Sequence, residues 1–394
     1  VINPKRSDCN YPFKSICGAL VAYKLMEYMY EKRNPGQKIH DNEELSDLLE
    51  IAAIATVGDV MPLIDENRVL VKNGLQRLLT TRNKGLRALI NVTGMEGKKI
   101  SAYHIGFVLG PCLNAGGRLE NAVIALNMLT ASTDEEALGF ANHLKELNDE
   151  RKNLTIQNVR KAIEIAESEY KNDDILVIYL KECHESIAGI IAGRVREALG
   201  KPTIILTDAM GEDETVKGSG RSIENYNMFE ELYKIKDVFT KFGGHHMAAG
   251  MSLLKNRTDE FRKGLNMNSN LTLEDFIQKI WIDLPLPFSA ITMEFVRELN
   301  KLEPFGNKNE KPKFARKDIK IISRAVLGKN KNVVKMILED VDETRMDALY
   351  FCDGEAFLEE IKDKKTIDII YYPDINEYAG RESLQIIISD YKIK

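Results

Sequence analysis

Apolar residues recur every three to four positions over residues 11–30 and again over 42–55, the period of a helix that buries one face, with Asp41 or Asn42 placed to cap the second run. Gly58 and Pro62 break the pattern before it resumes as an apolar helix over about 66–79. From Ser132-Thr133-Asp134 to about residue 170 the spacing of Phe140, Leu144, Leu147, Arg151 and Leu154 runs on without a proline. It predicts one helix of about 55 Å, long enough to bridge two lobes, or else two helices with an unmarked break between them.

At Asp174 the pattern changes. Ile175-Leu176-Val177-Ile178-Tyr179-Leu180, a helix over 186–199 and a second strand over 203–207 make a strand-helix-strand unit and imply a parallel sheet. Residues 216–221, a helix over 228–235, a Gly-Gly-rich turn and a strand over 251–254 complete an α/β domain. In the last third, strand-like runs recur at 319–326, 333–338, 345–351, 366–372 and 383–388, with one helix over 355–362. That spacing suits a small Greek-key barrel such as an OB-fold, or a half-open sandwich.

The length of 394 residues is enough for two or three domains, and the pattern divides it at 1–133, 134–170, 171–270 and 283–394. With 44% hydrophobic and 29% charged residues, disorder is excluded. The apolar runs are too short to span a bilayer, so a soluble protein without a membrane partner is expected. Fifty-five Lys and Arg against sixty Asp and Glu leave a net charge of -5, so no global basic field marks a nucleic-acid partner and any such surface must be local. Five scattered cysteines without a C-x-x-C pair fit a reducing cytoplasm. The start, Val-Ile-Asn-Pro-Lys, lacks an initiator Met and reads as the middle of a protein.

Three segments carry donor chemistry for phosphate. Lys241-Phe242-Gly243-Gly244-His245-His246-Met247-Ala248-Ala249-Gly250 places two glycines before a His, a backbone free to approach a nucleotide or merely a tight turn for packing. Gly218-Ser219-Gly220-Arg221-Ser222 offers a hydroxyl and a guanidinium among glycines, against the simpler reading of a turn with a solvated Arg. Gly110-Pro111-Cys112-Leu113-Asn114-Ala115-Gly116-Gly117-Arg118-Leu119 reads as a Gly-rich loop feeding a helix over 121–129, a place for an anion or a packing loop. Asp59 is a lone carboxylate between two helices, as a helix cap or solvated turn residue would be, and only further ligands would make it a metal site. Asp340-Val341-Asp342, the one D-x-D pair, reads as an acidic hairpin turn.

In this order the segments resemble the bacterial RecJ exonucleases of the DHH phosphoesterase superfamily. Residues 56–63 look like the family's last metal-binding motif, 110–119 like its Asn-Ala-x-Gly-Arg loop, and 243–250 like the Gly-Gly-His signature of the DHH-associated domain. Leu302-Glu303-Pro304-Phe305-Gly306-Asn307, with Asn309, Pro312 and Phe314, resembles the lead into the RecJ OB domain. The resemblance implies a mixed α/β fold: a remnant of the DHH catalytic lobe over 1–133, a connecting helix over 134–170, the α/β DHH-associated domain over 171–270 and an OB-like β-barrel over 283–394.

It further implies 5′-to-3′ exonucleolytic hydrolysis of single-stranded DNA in recombination and repair, with two Mn²⁺ or Mg²⁺ ions in the parent protein. Asp59 is the one metal ligand that carries over, because the DHH motifs lie upstream of Val1, and the chain by itself is expected to be inactive. Substrate contacts fall to Ser219, Arg221, Gly243, Gly244, His245, Asn114 and Arg118, and position 112, where many members carry Arg, is Cys. Lys311, Lys313, Arg316 and Lys317 are the candidates for a basic groove on the barrel, unless they form a solvated edge. The implied partners are single-stranded DNA with a 5′ end and a helicase or single-strand-binding protein. Two other readings are a DHH phosphodiesterase for short oligonucleotides or cyclic dinucleotides, which the segment 302–394 weighs against, and a non-catalytic single-stranded-DNA-binding scaffold.

Overall fold

The computed structural model describes residues 2–39, 42–378 and 380–393. In chain order the helices are α1 (Gly18–Arg33), α2 (Glu43–Ser46), α3 (Leu48–Gly58), α4 (Asp65–Leu78), α5 (Lys84–Val92), α6 (Ala102–His104), α7 (Gly110–Leu119), α8 (Val123–Leu129), α9 (Asp134–Glu169), α10 (Ala188–Leu199), α11 (Met228–Lys234), α12 (Thr258–Met267), α13 (Met293–Asn300) and α14 (Gly354–Glu360). The strands are β1 (Leu176–Tyr179), β2 (Thr203–Ala209), β3 (Glu212–Arg221), β4 (Phe239–His245), β5 (Ala248–Leu254), β6 (Leu284–Pro285), β7 (Phe314–Leu327), β8 (Val333–Glu339), β9 (Arg345–Phe351), β10 (Thr366–Tyr378) and β11 (Arg381–Lys392). The chain divides into two units, one of Val1–Thr80, Lys99–Gly106 and Ile280–Lys394, the other of Thr81–Lys98 and Phe107–Lys279. Among the described residues no helix is long and apolar enough to cross a membrane.

In the first unit, only the later part of the 11–30 run is helical. The carbonyl of Ser15, which a longer helix would need for its own ladder, instead accepts the Asn67 side-chain amide at 2.6 Å. Asn42 caps α2 by accepting the Leu45 N–H at 3.0 Å, while Asp41 lies outside the described residues. Helix α4 packs closely on α3 because Gly74 has no side chain: a Cβ there would sit 2.3 Å from that of Ala53. The same unit contains a sheet ordered β10-β11-β9-β8-β7-β6 that closes through β10–β7 pairing. Closure removes the half-open sandwich and leaves an OB-like barrel filled by Phe288, Val334, Met336, Ala348, Tyr371 and Ile386. Asp340 begins the β8–β9 hairpin turn, its N–H donating to the Thr344 carbonyl at 2.9 Å.

In the second unit, α9 runs unbroken for 36 residues from its Thr133 cap, which accepts the Glu136 N–H at 3.1 Å. Leu144 meets α7 at Gly116, and Ala162 and Ala166 join the core beneath α10, so the bridge it makes lies inside this unit. The Gly-rich segment at 110–119 is helix α7 and not a loop. Pro111 is tolerated in its first turn, and the glycines serve packing: a Cβ on Gly116 would meet the Asn121 carbonyl at 2.9 Å and Leu144 at 3.2 Å.

The sheet of this unit is ordered β1-β2-β3-β5-β4. Only β1 and β2 are parallel, with Leu176 opposite Thr203, so the sheet is mixed and not parallel as the strand-helix-strand unit suggested. Gly243, Gly244 and His245 also differ from expectation. They lie in strand β4, paired with Gly250, Ala249 and Ala248, and the turn falls at His246-Met247. Neither glycine adopts a left-handed φ. Gly244 is required by closeness, since a Cβ would lie 2.4 Å from the Ala248 carbonyl, whereas a Cβ on Gly243 would meet nothing within 4 Å.

Candidate functional site

Strand β3 alternates faces, and its glycines and polar residues divide accordingly. Gly218 and Gly220 turn inward, where a Cβ would lie 2.4 Å from Met251 Sδ and 3.1 Å from Ile204 Cγ1 respectively. Ser219 and Arg221 turn the other way, onto the first turn of α10. There Gly189 leaves room for both, since a Cβ on it would stand 2.8 Å from Ser219 Oγ and 2.9 Å from Arg221 Nη2. Arg221 Nη1 donates to Ser219 Oγ at 3.3 Å and to the Gly220 carbonyl at 2.8 Å. The small residues thus fit the strand to its core, and the hydroxyl and guanidinium emerge together on the opposite face.

Beside this pair lies a cleft of about 490 Å³, lined by Ser186, Lys217, Ser219, Lys241, Phe242 and Gly243 among others. Lys217 pairs with Glu185 at 2.8 Å, and Lys241 is exposed. Phe242 stacks on Phe229 with ring centroids 5.8 Å apart, giving one wall a flat aromatic character. A ribose or base can rest on such a wall while a phosphate meets the cations.

A second group of guanidinia lies in the same unit. Arg118 Nη1 donates to the Ser186 carbonyl at 2.7 Å, tying α7 to the turn that enters α10. Arg151 donates to Asn148 Oδ1 at 2.9 Å, and its buried Nε has no partner. Among the described residues none of Arg118, Arg151 and Arg221 has a carboxylate partner. Burial pushes the Arg221 guanidinium below its ordinary value, and the neighbouring Arg118 and Arg196 push it further. Arg151 is lowered in the same way, by burial and then by Arg118 and Arg194. An anion relieves such a cluster, because each guanidinium keeps N–H donors that no carboxylate has taken.

His245 stands exposed at the end of β4, with Nδ1 accepting the Met247 N–H at 3.3 Å. Asn114 is exposed on α7. Of the residues expected in this unit only Ser219 and Gly243 line the cleft, whereas Arg221, Arg118, His245, Asn114 and Gly244 do not. Lys217, Lys241, Gly189 and Arg151 were missed from sequence. The period-two alternation backwards from Ser219 and Gly243 would have found both lysines.

On the barrel the expected basic groove is largely spent within the fold. Arg316 is bidentate to Asp340, at 2.6 and 2.9 Å, and the carboxylate is fully buried. Lys311 is held over the Tyr372 ring at 4.0 Å, with Phe305 at 5.7 Å on another side, and burial pushes its ammonium down. Both cations thus have partners within the fold. Lys320 and Arg345 pair with Glu339, and Lys335 with Asp347. Of the four candidates only Lys313 and Lys317 have neither an ion-pair partner nor a ring contact among the described residues.

Asp59 is the exposed C-cap of α3. Among the described residues no group of three His, Cys, Asp or Glu side chains is placed to hold a metal ion. A single carboxylate does not provide the several oxygen ligands that Mg²⁺ or Mn²⁺ takes, so the described residues do not fit such an ion unaided.

The DHHA1 domain family matches residues 172–268, the α/β sheet, and the RecJ OB domain family matches residues 282–390, the barrel. The single-stranded-DNA-specific exonuclease RecJ of Bacillus subtilis is 34% identical over 99% of this chain and 48% of its own length. The Escherichia coli protein of the same name is 31% identical over 99% of this chain and 69% of its own. Structures of Thermus thermophilus RecJ in complex with Mg²⁺ and with Mn²⁺ superpose at a TM-score of 0.81 with 25% identity, covering 97% of this chain and 57% and 54% of theirs. The chain thus spans about half the length of the Bacillus relative. Two domain matches in order, with identity carried along nearly the whole chain and two thirds of the Escherichia coli protein, place it: the chain belongs to the RecJ family.

Proposed function

We propose that this chain grips single-stranded DNA for a 5′-to-3′ exonuclease of recombination and repair that works in the cytoplasm alongside a helicase or single-strand-binding protein. The α/β sheet holds the 5′-terminal nucleotide, and the barrel binds single strand weakly. The observation that carries the reading is the pairing of Ser219 with Arg221, 3.3 Å apart on one face of β3 and without a carboxylate partner for the guanidinium. Lys241, the Gly243 backbone and the Phe242 wall support it as the surroundings of a nucleotide, and Arg118 and His245 are proposed as further phosphate contacts. Two divalent ions, Mg²⁺ or Mn²⁺, belong to the activity proposed for the whole protein. Since Asp59 has no fellow ligands among the described residues, no hydrolytic step is assigned to them.

The test is fluorescence anisotropy of this chain with 5′-phosphorylated and 5′-hydroxyl oligothymidylate. A charge-assisted hydrogen bond to the terminal phosphate should favour the phosphorylated end by roughly tenfold. Arg221→Ala should erase most of that ratio. A ratio unchanged in both Arg221→Ala and His245→Ala would return the pair to a packing role.

A further inference from the structure

The segment Leu302-Glu303-Pro304-Phe305-Gly306-Asn307 leads into the barrel, yet its polar atoms are directed at the turn that follows α3. Asn307 engages that turn twice. Its carbonyl accepts the Leu63 N–H at 2.8 Å, and its Nδ2 donates to the Val60 carbonyl at 2.7 Å. Gly306 allows the approach, since a Cβ there would lie 2.6 Å from Leu63 Cδ1, and Leu63 is itself buried. Arg68 ties the same segment down from α4, donating to the carbonyls of Lys301 and Glu303 at 3.0 and 3.1 Å. The loop that presents Asn307 is closed on itself. Gly306 and Asn309 exchange backbone hydrogen bonds, and the Asn309 amide donates to the carbonyls of Leu302 and Pro304.

What this clasp holds is strained. Val60 has φ +52°, in the left-handed region that β-branched residues avoid. Its side chain is exposed, so packing does not impose the conformation. The hydrogen bonds do: Val60 N–H to Val57, Met61 N–H to Thr56, and the Asn307 amide on the Val60 carbonyl. Asp59 is the residue immediately before, still bonded into α3 through its N–H to the Ala55 carbonyl, and the direction the chain takes as it turns away just after Asp59 follows from the conformation of Val60.

We infer that Asn307 is a positioning residue, which clamps Val60 in its left-handed conformation and so sets the turn that carries Asp59. The functional weight of this inference rests on the reading of Asp59 as an active-site carboxylate; the clasp itself does not. It makes the lead into the barrel part of the machinery of α3 and α4, in place of a DNA-binding edge.

The test is amide hydrogen exchange on the whole chain. Asn307→Ala should speed exchange at Val60, Met61 and Leu63 by roughly tenfold, the loss of about one hydrogen bond, with the amides of β10 and β11 unchanged. Val60→Asn, which tolerates the left-handed region, should restore most of that protection in the Asn307→Ala background, because an unstrained turn needs no clamp. General loosening of the barrel would not be rescued this way. Exchange at residues 60–63 unaltered by Asn307→Ala, or failure of Val60→Asn to restore it, would overturn the clasp. If nuclease assays instead overturned the reading of Asp59, the exchange result would stand and only the functional consequence would fall.

Discussion

Gly189 lies so close to Arg221 that a Cβ on the glycine would stand 2.9 Å from the guanidinium Nη2 and 2.8 Å from Ser219 Oγ. The helix N-terminus and the polar face of β3 therefore meet only because position 189 has no side chain. Gly189→Ala should leave the fold intact, since alanine suits a helix better than glycine. It should nonetheless displace both donors and lower affinity for 5′-phosphorylated single strands by roughly tenfold, toward that for 5′-hydroxyl strands. Anisotropy together with a thermal melt checks this. A Tm within a few degrees of wild type with phosphate preference intact would show that Ser219 and Arg221 do not hold the phosphate.

The barrel should contribute little salt dependence. Each phosphate contact to a single strand adds about 0.7 to the slope of log affinity on log salt. With Arg316 committed to Asp340 and Lys311 to Tyr372, replacing Lys311, Lys313 and Arg316 together should flatten the slope by less than one unit through lost contacts. Lys313→Ala with Lys317→Ala removes both cations without such partners and should flatten it by more, up to about 1.4 units if both touch phosphate. Titration at several salt concentrations decides it, and a loss of about two units in the triple variant would restore the basic-groove reading.

How much of this could be read in advance depended on how far each signal reached along the chain. The long helix α9, the strand-helix-strand start of the α/β sheet and the five long barrel strands follow from periodicity, which is local. Two elements were misread because glycine was taken for freedom. In β4 and α7 the glycines at 244 and 116 are demanded by backbone and side chains only 2.4 and 2.9 Å away, and those neighbours are visible only once the chain has folded. Ser219 and Arg221 were singled out by their donor chemistry together with the resemblance, and the structure sets them side by side on one face of β3. The fates of Lys311 and Arg316 were not legible, because Tyr372 and Asp340 lie 61 and 24 residues away and nothing local announces them.

This chain should release no nucleotides from 5′-phosphorylated single-stranded DNA with Mn²⁺ present. The expectation follows from the donor set, since Asp59 at the end of α3 has no fellow ligands among the described residues and an ion without fixed ligands cannot position a water. Robust turnover that disappears in Asp59→Ala would mean that the described residues assemble a site not apparent in their arrangement.

Asp340 and Arg316 should set the acid limit of the barrel. Burial by itself would raise the Asp340 carboxyl, but the Arg316 hydrogen bonds and the N–H groups of Phe288 and Val341, at 3.0 and 2.7 Å, outweigh it and hold the group below its ordinary value. For a carboxylate depressed in the folded state, the unfolded chain binds the proton more readily, so stability falls as pH falls. The contribution is fully present above the unfolded value near ~3.9 and is lost as pH drops through the lower folded value. Asp340→Asn strands a guanidinium that is mostly buried and should cost about 3–5 kcal/mol at neutral pH. In acid the wild type surrenders the same interaction, so the gap between the two proteins should narrow below roughly pH 4. Thermal melts from pH 7 to 2.5 measure both curves. A gap that stayed constant across that range would mean that the pair contributes packing alone and that its charge is immaterial to the barrel.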